Sequence, residues 1–86
     1  ISGGYAEEIR KAAYIVFIYQ TFIKDSSDEN IVHWRNVLVR AHLDPQLSSE
    51  HAELALFYFA GLDIEPFELA QFRRRYNETF NQIPLM

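Results

Sequence analysis

The sequence predicts an all-α fold, a compact bundle of four short helices at about 5–24, 27–41, 49–60 and 66–81, with a tight corner at Gly61. Three observations carry that prediction. Apolar residues recur at helical spacing in separate stretches, start and stop signals divide those stretches, and the only glycines are at positions 3, 4 and 61.

The first stretch opens with good helix formers at 6–13, with Glu7 and Glu8 leading, where acids suit the positive end of a helix. Ile9, Ala13, Val16 or Phe17, and Gln20 follow one stripe, flanked by Ala12, Ile15, Tyr19, Phe22 and Ile23. The β-branched pair Ile15-Val16 among aromatics also fits a buried strand; the length and the helical lead-in decide for helix. Ser26 with Glu29 three residues on reads as a capping box for the second helix. There Ile31, Trp34, Leu38 and Ala41 form the core stripe and Val37 widens it, while His33, Arg35, Asn36 and Arg40 fall on other faces. Asp44-Pro45 stops it, because a residue before proline is pushed out of the α region.

Ser48-Ser49-Glu50 starts the third helix, with Leu47 as a hydrophobic staple if Ser48 is the cap. Gly61 is expected in the left-handed position past its end, with Leu62 folding back on Phe57. Pro66 sits in the first turn of the fourth helix, where its missing N–H costs nothing. Leu69, Phe72, Tyr76, Phe80 and Ile83 then continue at helical spacing.

At 86 residues the chain reads as a single domain, 1–86, with a flexible start over 1–4 and an extended tail over 82–86. A start of Ile1-Ser2-Gly3-Gly4 without Met fits an excised domain, a processed product or a cloning remnant. The absence of cysteine removes disulfides and thiolate metal sites and does not fix the compartment. An intracellular soluble setting is favoured, since Asn77-Glu78-Thr79 alone points to secretion and such triplets arise by chance. No apolar run approaches the roughly 20 residues that span a bilayer.

Two runs stand out against this background, Ala12–Tyr19 and Leu54–Ala60, in which apolar residues follow one another without polar breaks. Helices apolar on most sides are hard to bury fully in so small a domain. One reading places Tyr14, Phe17 and Ile18 on the first helix and Phe57, Tyr58 and Phe59 on the third at an interface with a protein partner or a second copy. Tyr and Phe are enriched at such surfaces. The other reading makes both helices central, with their aromatics filling the core.

Chemical motifs are thin. The net charge of −4 argues against a dedicated nucleic-acid binder. Six acids and no Lys or Arg lie between Arg40 and Arg73, an unevenness that helix-dipole complementarity accounts for. His33, His42 and His51 lack ligand spacing, so no metal site is expected. Nucleotide and phosphate loops need glycines that are missing, and neither Glu50 with Glu53 nor His42 with Asp44 comes with a nucleophile, so no cofactor, small-molecule substrate or catalytic residue is expected. The expected function is therefore a non-catalytic protein-interaction, adaptor or regulatory domain. The alternative is a helical nucleic-acid-associated regulator using Arg73, Arg74 and Arg75 against phosphates or an acidic partner. The acidic Glu65 and Glu68 at the start of that helix oppose it.

Overall fold

The computed structural model describes the backbone of residues 2–82 and the side chains of residues 6–80. Four helices, α1 (Ser2–Ile18), α2 (Asp28–Arg40), α3 (Ser49–Tyr58) and α4 (Pro66–Gln82), are joined by short connections, with no strand among the described residues. Helix α1 begins at Ser2, earlier than its composition indicates, and residues 83–86 of the expected tail lie outside the described residues. The principal extents are 38 × 33 × 19 Å. The short dimension is about two helix diameters, so every helix keeps one side toward solvent.

The run expected as one helix changes pitch. From Tyr19 to Lys24 it widens into a π-helical turn. Thr21, fully buried, donates its hydroxyl to the Phe17 carbonyl at 2.7 Å, a back-bond that competes with the regular ladder. The wide turn closes with the Asp25 N–H on the Gln20 carbonyl. Asn30, from the first turn of α2, donates its amide to the carbonyls of both Gln20 and Asp25 at 2.9 Å. The end of the wide turn is thereby tied to the next element, the Gln20 carbonyl accepting a second bond beside that from Asp25.

The caps differ from expectation at two of three places. Ser27, not Ser26, caps α2, accepting from the Asn30 N–H; Glu29 closes no box, because the chain enters the helix one residue later than the Ser26 reading requires. Helix α2 ends in a Schellman motif, with the Leu43 N–H on the Leu38 carbonyl and the His42 N–H on that of Val39. The left-handed residue in it is His42, at φ 61°. Gly61 does not take the left-handed conformation, so the ending expected for α3 is absent, and Leu62 and Phe57 are both exposed. The chain instead turns through a bond from the Leu62 N–H to the Phe59 carbonyl. Ser48 caps α3 as expected, and its box is completed by His51, whose Nδ1 accepts from the Ser48 N–H at 3.1 Å.

The core gathers Tyr14, Phe17 and Ile18 of α1, Ile31 and Leu38 of α2, Leu47, Ala55 of α3, and Leu69, Phe72 and Tyr76 of α4. The α1 face that turns inward is thus 14, 17, 18 and 21, rather than the stripe through Ile9 and Val16, which are exposed. Arg35, expected on an outer face, is buried, with its guanidinium 5.2 Å from the centre of the Phe80 ring. The connection from Leu43 to Ser48 is held by side chains from both ends of the sequence. Tyr14 donates to the Asp44 carbonyl (2.8 Å) and Tyr76 to that of Pro45 (2.6 Å), while Asn77 bonds both the N–H and the carbonyl of Leu47.

Candidate functional site

The six residues singled out for partner binding separate into two groups. Tyr14, Phe17 and Ile18 lie in the core: Phe17 meets Tyr76 edge to face at 5.3 Å, and Tyr14 stacks on the His51 ring at 3.7 Å. These three hold α1 against its neighbours and present no surface. Phe57 and Tyr58 near the end of α3 are 74% and 68% exposed. Phe59 is half-buried between the rings of Tyr19 and Tyr58.

Helix α1 contributes an outer apolar row that the sequence reading placed inside. Ile9, Ala12 and Val16 recur three to four residues apart and face solvent, the spacing of one helix face. On one side of this row, Ala12, Ile15 and Val16 line a groove of about 420 Å³ with Leu54, Phe57 and Tyr58 of α3, Glu8 and Lys11 standing at its edge. On the other side, Ile9, Ala12, Ala13 and Val16 line a groove of about 360 Å³ with Trp34, Val37 and Ala41 of α2. The signal that could have located the outer row was Thr21: a polar residue in register with Tyr14, Phe17 and Ile18, able to bond its own backbone, can lie on the inward face.

A third depression, of about 520 Å³, lies over the start of α3 and is lined by His51, Tyr14, Glu7, Glu50, Glu53, Arg10 and Lys11 among others. It brings His51 near carboxylates, as an acid–base site needs. The ring is already engaged, with Nδ1 accepting from Ser48 and one face on Tyr14. Burial lowers the His51 pKa, an effect that Asp44 and Glu50 partly offset. Burial likewise raises the Tyr14 hydroxyl and pushes that of Tyr76 far above its ordinary value, so both act as hydrogen-bond donors at neutral pH. His42 is exposed at the end of α2. Among the described residues, no group of three histidines and carboxylates is placed to hold a metal ion, and no helix is long and apolar enough to cross a membrane.

The arginine triplet is spread around α4. Arg73 is half-buried and Arg74 exposed. Arg75 is occupied within the fold, donating to the Ser26 carbonyl at 2.7 Å and pairing with Asp28 at 3.3 Å.

The surroundings of this fold among known proteins are consistent. The crystal structure of a protein of unknown function from Yersinia pestis, YPO2564, superposes with a TM-score of 0.85 at 64% identity, over 92% of this chain and 60% of that one. Uncharacterized proteins YicN of Escherichia coli K12 and O157:H7 are 29% identical over 72 residues, 84% of this chain and 48% of theirs. The chain therefore spans about half the length of the curated relatives it matches. Residues 1–83 match the family model described as protein of unknown function DUF1198, and the chain belongs to that family.

Proposed function

We propose that this is a non-catalytic interaction domain, of the adaptor or regulatory kind, that binds a protein partner or a second copy through the α1–α3 face. One observation carries the reading: Phe57 and Tyr58 stand 74% and 68% exposed beside Val16 and Ile15, around a single apolar groove. Burying a side chain of this size is worth about 1.5–3 kcal/mol. Leaving several in water is a large concession for a fold whose net stability is about 5–15 kcal/mol. Scattered exposed apolar residues need no explanation, but contiguous ones mark docking surfaces. Aromatic anchors beside the charged edge of Glu8 and Lys11 resemble the apolar centre and polar rim of protein interfaces.

Light scattering across a concentration range, followed by recovery of bound proteins, tests this. The expected result is association that Phe57→Glu with Tyr58→Glu abolishes while helical circular dichroism is unchanged. A protein that stays a single copy and retains no partner that the double variant fails to retain sinks the reading.

A further inference from the structure

The charges on the α1–α3 face are arranged in a way that selects its occupant. From Ala6 to Ala12 every residue of α1 is exposed, about two turns of helix with little of the body against them. A helix in a protein draws most of its stability from a packed face, and among the described residues this half of α1 has little of one. Its outward row of Ile9, Ala12 and Val16 runs into the groove with Leu54, Phe57 and Tyr58. Ala12, in the middle of that row, is small enough to let another helix come within the roughly 8–10 Å at which helices pack.

Only two charged side chains line the groove, Glu8 and Lys11, and they cancel. The chain as a whole carries −4, so two copies repel overall. The repulsion is strongest for the stretch between Arg40 and Arg73, where all the acids are exposed. The α1–α3 face lacks that excess. Its balance favours neither a basic nor an acidic partner, but its order of charges favours a copy of itself. Glu8 and Lys11 lie one turn apart along the same edge of α1, about 4.5 Å along its axis. A two-fold axis midway between their levels brings a second α1 alongside, antiparallel. Each Glu8 then stands level with Lys11 of the other copy, and two identical ion pairs form. Such a contact closes on itself and leaves no surface from which to extend. Within one copy these charges are little used: both are exposed, and the Lys11 Nζ is 3.8 Å from the Glu8 carboxylate, near the limit of an ion pair.

We infer that the occupant of the α1–α3 face is a second copy of this chain. Its α1 lies antiparallel to the first, the Glu8–Lys11 pairs set the register, and the exposed rings of Phe57 and Tyr58 flank the apolar seam. This rests on the interaction reading above and narrows it to one partner.

Light scattering of the 86-residue chain should give twice the 10.1 kDa of one copy. Glu8→Lys and Lys11→Glu each set like charges against one another across the axis, and each should weaken the dimer by about tenfold or more. Mixed in equal amounts, the two variants should recover the dimer, because each supplies the charge the other lacks. The double exchange, Glu8→Lys with Lys11→Glu, restores both pairs and should associate as the parent does. Both sites are exposed, so helical circular dichroism should stay unchanged throughout. Recovery on mixing is a readout that loss of the contact within one helix could not produce. A mass of one copy at about 1 mM overturns the inference, since even a weak dimer shows at that concentration. Single variants that associate as the parent does overturn it too, as do mixed variants that fail to recover the dimer. Association abolished by Phe57→Glu with Tyr58→Glu but indifferent to both charge variants overturns this inference and leaves the broader reading intact. A chain that stays a single copy yet holds a different protein through Phe57 and Tyr58 does the same. If neither a copy nor another protein is held, both fall.

Discussion

At His42 the backbone turns left-handed, a conformation that costs most L-residues about 1–2 kcal/mol. Histidine, with asparagine and aspartate, tolerates it better than bulky or β-branched types. His42→Val should therefore lower stability by about 1–2 kcal/mol, and His42→Gly should hold or raise it, as read from urea midpoints. Gly61 shows the reverse case. It has an ordinary backbone, and a Cβ placed there meets nothing within 4 Å. Gly61→Ala should stabilise by about 0.4–1 kcal/mol by restricting the unfolded chain; a loss of stability would contradict the open geometry. His51 links the fold to pH. Folding lowers its proton affinity, so the unfolded chain takes the proton first. The contribution of the neutral ring is full above about pH 6.5 and falls as pH drops through that value toward the lower folded one. Protonation at Nδ1 would also set two donors against each other at the Ser48 N–H. His51→Gln keeps an acceptor at this box position, so it should flatten the change in urea midpoint between pH 7.5 and 5.5. An unchanged slope would place the pH dependence elsewhere.

At the scale of elements, the π-helical turn depends on two side chains, Thr21 within it and Asn30 across from it. Asn30→Ala removes both amide bonds to the Gln20 and Asp25 carbonyls and should cost about 1–3 kcal/mol, measured by denaturant unfolding. The four helices were legible in the sequence because their signals are local: Ser48 before Glu50, Pro66 in a first turn, and the Leu69–Phe72–Tyr76 spacing. The turn was not legible, since Asn30 acts on residues ten and five positions earlier and no periodicity records that. The same holds for Arg35, whose place in the core depends on the Phe80 ring from another helix.

For the whole molecule, the thin dimension of 19 Å decides what can be hidden. A two-layer slab buries one side of each helix, and the two apolar runs meet that limit differently. Phe17→Glu places a charge at a fully buried site and should abolish cooperative folding. Tyr58→Glu lies in water and should leave the unfolding transition within about 0.5 kcal/mol. The candidate site was half legible. The excess of apolar residues was plain in the sequence, and Phe57 and Tyr58 were identified from it. Which side of α1 turned outward was not, because the run from Ala12 to Tyr19 has no polar face of its own and the residue that orients it, Thr21, lies beyond the run.

The tethering of residues 44–48 by Tyr14, Tyr76 and Asn77 has a consequence for how the chain yields to cutting enzymes. A peptidase must draw several residues of backbone into an extended form, and here the peptide groups at Asp44, Pro45 and Leu47 are already held from α1 and α4. The connection at Asp63 is itself exposed, and the peptide groups beside it are held by short-range bonds, Leu62 to Phe59 and Ile64 to Leu62. Under native conditions an endoproteinase that cleaves before aspartate should sever the chain at Asp63 well ahead of Asp44, so that α3 parts from α4 before it parts from α2.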